Sequence, residues 1–307
     1  MIAQGFQSKL PTFYTLWDYF TLDPPFFNFR ECVYLYDLHT HSACSDGELS
    51  PSALVDLAKS RGITTLALTD HDTVAGLIEA QRAAGDDLRI IQGIEFSSLW
   101  NGHGIHIVGL QIDMASPVLQ AAVAQQQQSR FERARAIAQR LEKVGIQGAW
   151  EGVQYYAKDA VIGRPHFAQY LVDTGYVNSF AQAFKRYLGT GKPGDIKQCW
   201  SNIETVVQWI RSSGGIAVLA HPDKYGMTHT KLYHLLEDFV AIGGHALEVV
   251  SGQQDSRVTD KLYRAAKDFS LLASCGSDFH ALGQGRQPLG QYSPMPEGCQ
   301  PVWEYFS

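Results

Sequence analysis

The chain has 307 residues, 45% hydrophobic and 18% charged, with a net charge of −6 and a pI near 6.0. That balance fits a soluble protein of one large domain, or a main domain with an insertion, and argues against a nonspecific nucleic-acid binder with a wide basic surface; a nuclease that grips only a strand end stays open. No apolar run reaches the roughly 18 residues of a membrane helix and no secretory signal opens the chain, while Cys32, Cys44, Cys199, Cys275 and Cys299 form no Cys-x-x-Cys pair, so reduced thiols in a cytoplasmic protein away from membranes are expected.

Residues 1–34 are rich in aromatics and contain Pro24-Pro25, with no clean period. Two readings stand: an extension packed on the domain, or a start codon placed too far upstream. Neither gives the segment a catalytic role. From Val33 short apolar runs alternate with amphipathic helices. Val33–Leu38 reads as a strand that delivers His39 and His41, which point to the same side because they are two apart. Ser50-Pro51 opens a helix that Gly62 ends. Ile63–Leu68 is the next strand and delivers Asp70 and His71. A helix over 73–84 follows, then a strand Arg89–Ile94 that delivers Glu95, and a strand Ile105–Leu110 that carries His106.

Strand signals then vanish. A long helix is predicted from about Ser129 to Lys143, stopped by Gly145, with shorter helices over 165–173 and 178–188 and a loop over 189–195. Alternation resumes with a capping box at Ser201–Glu204. Ile216–Ala220 delivers His221, Ala246–Val250 is a further strand, and Leu271–Cys275 delivers Asp278 and His280. The expected organisation is an extension at 1–34, a main domain at 35–112 and 196–290, a helical insertion at 113–195 over the mouth of the site, and an irregular tail at 291–307.

Polar residues thus recur at strand ends, which converge on one face of a closed parallel β/α barrel. Six or seven βα units fit the length. The gathered candidates are His39, His41, Asp46, His71, Glu95, His106, His221, Asp278 and His280. A lone histidine is more often a satisfied structural residue. This density reverses that preference, because burying so many titratable groups without a cation is costly. Mixed imidazole and carboxylate donors suit Mn, Zn or Fe ahead of Mg, and nine of them suit two or three ions. Such ions make hydroxide available near neutral pH and neutralise phosphoryl charge.

Other residues read more modestly. Asp70 and Asp72 fit either the support of metal-bound histidines or the capping of the next helix. Glu248 divides evenly between site support and structure. His103, His229, His234 and His245 read as surface or satisfied histidines, Cys44 as packing. The helix bearing Arg130, Arg133, Arg135 and Arg140 reads as a solvated charged helix.

Six motifs carry a resemblance: Asp-Leu-His-Thr-His at 37–41, Thr-Asp-His-Asp at 69–72, Gly-Ile-Glu at 93–95, His-Ile-Val-Gly at 106–109, Ala-His-Pro at 220–222 and Gly-Ser-Asp-Phe-His at 276–280. Together they make the chain resemble the polymerase and histidinol phosphatase (PHP) family of metal-dependent phosphoesterases. The resemblance implies an α/β fold, a distorted (β/α)7 barrel with a helical insertion, and a trinuclear site. It implies His39, His41, Glu95 and Asp278 around one ion, Glu95, His106 and His221 around a second, and Asp46, His71 and His280 around a third. Glu95, Asp278 and His280 take catalytic parts in it, with metal-bound hydroxide attacking phosphorus.

Gly163-Arg164-Pro165-His166 and Tyr187–Pro193 resemble a bacterial subgroup with exoribonuclease and nucleoside bisphosphate phosphatase activities. That likeness implies that Arg164, His166 and Lys192 hold a terminal phosphate; the plain alternative is a helix start with a solvent-facing arginine. The expectation is hydrolysis of the 3′ phosphoester of 5′-phosphorylated RNA ends or nucleoside 3′,5′-bisphosphates, with Mn ahead of Zn, Fe and Mg, and with no obligate protein partner. The alternatives are a phosphatase for a small phosphomonoester such as histidinol phosphate, and a noncatalytic metal-binding module.

Overall fold

A computed structural model describes residues 35–196, 199–283 and 287–306; the expectations for 1–34 lie outside the described residues. Seven strands form one sheet in chain order: β1 (Tyr36–Thr40), β2 (Thr65–Leu68), β3 (Arg89–Trp100), β4 (His103–Leu110), β5 (Ile216–Leu219), β6 (Ala246–Ser251) and β7 (Leu272–Gly276). β2 and β6 are buried along their whole length, as strands must be when side chains fill the barrel on one face and helices cover the other. The sheet nearly closes. Thr40 bridges Phe279, the His41 N–H donates to the Phe279 carbonyl at 2.9 Å, and the Asp278 N–H donates to the His39 carbonyl at 2.8 Å. Gly276 permits this approach, since a Cβ there would lie 2.4 Å from the Cβ of His39.

One departure from a parallel barrel is decisive for the site. β4 runs antiparallel to both β3 and β5, while the other neighbours are parallel. β3 and β4 form a hairpin turned by Asn101 and Gly102, both at positive φ, the dipeptide and geometry that a two-residue hairpin loop favours. Running backwards, β4 brings His106, near its start, to the face reached by the ends of the parallel strands.

Helices α1 (Pro51–Ser60) and α2 (Leu77–Ala84) cover β1 to β3, and α7 (Ile203–Ser212), α8 (His229–Ala241) and α9 (Ser256–Asp268) cover the rest. α7 buries Ile203, Val206, Val207 and Ile210, the spacing of one helical face. Between β4 and β5 stand α3 (Pro117–Lys143), α4 (Ala149–Ala157), α5 (Arg164–Asp173), α6 (Phe180–Ala183) and a π-helical turn, Phe184–Leu188. α3 starts twelve residues before the predicted Ser129: Ser116 caps it, Pro117 occupies its first turn, and the glutamine run lies inside it. Its first half gives Leu119, Ala122 and Val123 to the barrel core. Its second half gives Ala134, Ile137, Ala138 and Leu141 to a separate core with Phe167, Leu171 and Leu188. The tail is less irregular than expected: Pro301 bridges Ala273, Val302 is fully buried, and Trp303 stacks on Tyr36 at 4.5 Å. Among the described residues no helix is long and apolar enough to cross a membrane.

Candidate metal and phosphate site

The barrel face gathers all nine predicted donors. Glu95 lies at the centre. Its Oε2 is 3.3 Å from His39 Nε2, 3.3 Å from His41 Nε2 and 2.9 Å from His71 Nδ1. Its Oε1 is 2.8 Å from His106 Nδ1 and 3.0 Å from His221 Nε2. Asp278 Oδ1 faces His41 Nε2 at 3.3 Å and His39 Nε2 at 3.6 Å. Asp46 faces His280 at 3.4 Å and His71 at 3.8 Å. Donor atoms lie close enough to share an ion in four groups: His41, Asp46, His71 and His280; His39, Glu95 and His221; His39, His41 and Asp278; His71, Glu95 and His106. The triads implied by resemblance differ in one respect, since His71 sits nearer Glu95, at 2.9 Å, than Asp46, at 3.8 Å.

Local structure explains the convergence. Asp70 accepts from the Ser42 N–H and from the Ser42 and Ser45 hydroxyls at 2.6–2.7 Å, folding the 40–47 loop back on itself. Gly47 is required there, because a Cβ would meet the His41 carbonyl oxygen at 2.5 Å. The loop thereby returns Asp46 to the histidines. His221 and Asp278 both have positive φ, a conformation that costs about 1–3 kcal/mol and persists where surrounding contacts impose it. The His221 N–H donates to Glu248 Oε2 at 2.6 Å, and His39 Nδ1 lies 3.1 Å from both oxygens of that carboxylate. Glu248 therefore orients two of the donors.

The donors fit a bound divalent cation. His39 Nε2, both ring nitrogens of His41, His71 Nδ1, His221 Nδ1 and Glu95 Oε2 are buried without a hydrogen-bond partner among the described residues. Buried polar atoms rarely stay unpaired, and imidazole with carboxylate is a donor set for divalent metals. Burial opposes charge on Glu95, yet His71, His106 and His39 hold its carboxyl well below the usual range. Burial likewise opposes charge on Asp278 and Asp46, and neighbouring histidines hold both low.

A cavity of about 510 Å³ opens over this face. Asp46, His71, His106 and His221 line it together with Arg130, Arg133 and Arg164. Arg130 and Arg133 correct the reading of α3 as a solvated helix. Both are buried, whereas Arg135 and Arg140 are exposed. Arg130 Nε donates to Asp72 Oδ2 at 2.6 Å and Nη2 to the Ser97 hydroxyl at 3.0 Å. Gln126, one turn earlier, donates to Asp72 and to the Ser97 carbonyl. Asp72 thus anchors α3 and neither supports a histidine nor caps α2. Arg133 donates to the carbonyl of Ile196, and Arg164 to that of Leu188. Burial, with Arg164 and Arg130 nearby, pushes the Arg133 guanidinium down to about 9, so it stays charged at neutral pH. Trp200 lies beneath both Arg130 and Arg133, and Phe184 beneath Arg164.

Of the three residues expected to hold a phosphate, the structure brings Arg164 to this cavity. His166 faces a neighbouring cavity beside Ala43–Ser45, and its Nδ1 accepts the Gly163 N–H at 3.0 Å, which caps α5. Lys192 is exposed on its loop and is not among the cavity's lining residues. Two lining residues escaped the sequence reading. Lys224 Nζ pairs with Asp278 Oδ2. The Tyr225 hydroxyl accepts the His106 N–H at 2.9 Å and donates to the Ala220 carbonyl at 2.8 Å, tying β4 to the end of β5. Both follow His221 within a short 3-10 turn, Pro222–Tyr225, and their proximity to that histidine was the available signal. The remaining histidines are satisfied or superficial: His245 accepts the Ala217 N–H at 3.1 Å, His229 stacks on Tyr233, and His234 is exposed. His103 lines the cavity rim and lies 2.8 Å from Lys231 Nζ.

Arg130→Met is expected to destabilise the fold by about 3–5 kcal/mol, because it leaves the Asp72 carboxylate buried without its counter-charge. Urea unfolding monitored by circular dichroism measures this.

The PHP domain model matches residues 37–111. A 5′-3′ exoribonuclease of Haemophilus influenzae is 44% identical over 272 residues, covering 88% of this chain and 98% of that protein. A 3′,5′-nucleoside bisphosphate phosphatase of Chromobacterium violaceum is 42% identical over 269 residues, covering 87% of this chain and 94% of that protein. A solved structure from Chromobacterium violaceum, described as an amidohydrolase with bound sulfate and no metal, is 41% identical and superposes with a TM-score of 0.83 over 88% of this chain and 95% of that one. With likeness of that extent in sequence and fold, and with the motif residues gathered on one barrel face, this chain belongs to the PHP family.

Proposed function

We propose that this chain is a divalent-metal-dependent phosphoesterase that hydrolyses the 3′ phosphoester of 5′-phosphorylated nucleotides, both as a 5′-to-3′ exoribonuclease and as a nucleoside 3′,5′-bisphosphate phosphatase. The observation that carries this reading is one cavity lined both by donor residues of the histidine and carboxylate cluster and by three guanidiniums. The names of the two relatives support it, since one cleaves RNA from the 5′ end and the other removes phosphate from a bisphosphate. His39, His41, Asp46, His71, Glu95, His106, His221, Asp278 and His280 hold two or three ions, with Mn ahead of Zn, Fe and Mg. When bound, such ions supply nucleophilic water at neutral pH and neutralise phosphoryl charge.

The chain's own residues set the register. Arg164 and Arg133, which donate to carbonyl oxygens and repel each other, take the 5′-phosphate, which relieves the repulsion between them. Arg130 keeps its bond to Asp72 and holds α3 in place. With the 5′-phosphate on Arg164 and Arg133, the phosphorus on the 3′ oxygen lies over Glu95 and Asp278. Water adds to that phosphorus and its bond to the 3′ oxygen breaks. A terminal monoester yields a 5′-mononucleotide and inorganic phosphate. A diester yields a 5′-mononucleotide and a strand shortened by one residue with a new 5′-phosphate, ready for another cycle.

Glu248 acts through His39 and His221. Glu248→Gln is expected to weaken metal affinity about 10–100-fold, the usual loss when the partner of a ligating histidine is changed; competition with a fluorescent chelator reads this directly. The function itself is tested with a panel containing a nucleoside 3′,5′-bisphosphate, 5′-phosphorylated RNA and histidinol phosphate, each with Mn. The first two should yield 5′-mononucleotides. Turnover confined to histidinol phosphate would overturn the reading.

A further inference from the structure

Beyond His221 and Lys224 lies a second cavity, of about 320 Å³, which shares those two residues with the first as a common wall. Its size is within the roughly 300–1,000 Å³ of ligand pockets. The chemistry of its lining differs from that of the first. Gln253, Gln287 and Ser251 offer amides and a hydroxyl, Val258 and Leu262 an apolar surface, and Asp223 and Asp255 negative charge. Lys224, on the shared wall, is the one cation among its lining residues. Ser251 is only 8% exposed, and its hydroxyl has no hydrogen-bond partner among the described residues. A buried hydroxyl left unpaired costs stability unless a ligand completes it.

The two cavities are therefore polarised. Phosphates favour the arginine-lined cavity and the Lys224 boundary, and the acidic residues disfavour a phosphate deeper in the second cavity. What fits there is an uncharged ribose and base, whose hydroxyls and edges can pair with amide and hydroxyl groups while an apolar surface packs against the ring.

We infer that this second cavity receives the nucleoside that keeps the scissile phosphate after cleavage, the one that follows the 5′-terminal nucleotide in an RNA strand. The inference rests on the proposed function. A nucleoside bisphosphate ends at the scissile phosphate and leaves the second cavity empty; a 5′-phosphorylated dinucleotide reaches into it. The cavity then contributes to exonuclease activity and not to phosphatase activity, although one set of donors serves both.

The test compares kcat/KM for a 5′-phosphorylated dinucleotide with kcat/KM for the matching nucleoside 3′,5′-bisphosphate, in the full chain with Mn. Two variants are used: Gln253→Ala, an exposed side chain, and Gln287→Glu, which keeps the oxygen that accepts the Gln253 N–H and replaces the amide donor. Because the ratio is taken within each protein, partial loss of folded material cancels. The dinucleotide-to-bisphosphate ratio should fall about five- to tenfold in each variant, as for a lost substrate hydrogen bond. An unchanged ratio in both variants overturns the inference, as does a wild-type protein that hydrolyses the bisphosphate but not the dinucleotide; in either case the phosphatase reading survives. Inactivity of the wild type on both substrates overturns the proposed function and this inference with it.

Discussion

Glu95→Ala is expected to lower turnover by several orders of magnitude and to strip bound metal while leaving the barrel folded. Five imidazole nitrogens lie within 3.3 Å of its two carboxylate oxygens, so under the proposed function the residue would serve more than one ion. Without it, His39, His41, His71, His106 and His221 would lose the one carboxylate that all five face. The fold does not depend on that side chain. Glu95 is held in β3 by its backbone, its N–H bonded to the Asp70 carbonyl at 3.2 Å and its carbonyl to the Asp72 N–H at 3.0 Å, and alanine retains both. His39→Ala and Asp278→Ala should follow the same pattern. Elemental analysis of metal content, alongside activity and circular dichroism, separates loss of metal from loss of structure. A fully active, metal-loaded Glu95→Ala protein would remove the basis for the assignment.

Arg164→Ala should weaken transition-state binding of 5′-phosphorylated substrates by about 1.5–3 kcal/mol, the typical worth of a charge-assisted hydrogen bond to phosphate. Arg133→Ala should do the same. Substrates with a 5′-hydroxyl should be almost indifferent to either change, because the lost contact is made to a group they lack. The measurement is kcat/KM for matched substrates with and without the 5′-phosphate, in the wild type and both variants. Uniform losses on both substrates would mean that the arginines support the fold rather than the phosphate. Lys192→Ala is a useful comparison: its side chain is exposed away from the cavity lining, and its effect should be small.

The metal-binding half of the site was legible because its residues sit at the ends of apolar runs, and strand ends meet on one face of a barrel whatever the details of connection. The β3–β4 hairpin was not anticipated, although Asn101-Gly102 is a strong two-residue turn signal; a presumption of parallel strands hid it and shortened both strands. The arginine lining was harder to see, since it depends on which face of a helix is buried. Gln126, Arg130 and Arg133 fall on the stripe that also carries Leu119, Ala122, Ile137 and Leu141. Polar residues on such a stripe are buried with partners and point to function, whereas Arg135 and Arg140 fall outside it. His166 and Lys192 lie outside the lining that Arg164 shares. Motif proximity suggested a shared role with Arg164, but two residues along a helix start turn a side chain to another face, and a loop lysine is free to point to solvent.

The central claim is that the chain binds a 5′-phosphate and hydrolyses the ester on the 3′ side of the same nucleoside. Single-turnover cleavage of two RNA oligonucleotides that differ only in a 5′-phosphate or a 5′-hydroxyl tests it most directly. The account predicts that the phosphorylated strand releases 5′-mononucleotides from its 5′ end and does so much faster than the hydroxyl strand is cut. Equal rates on the two strands would contradict it and leave a phosphoesterase without end recognition.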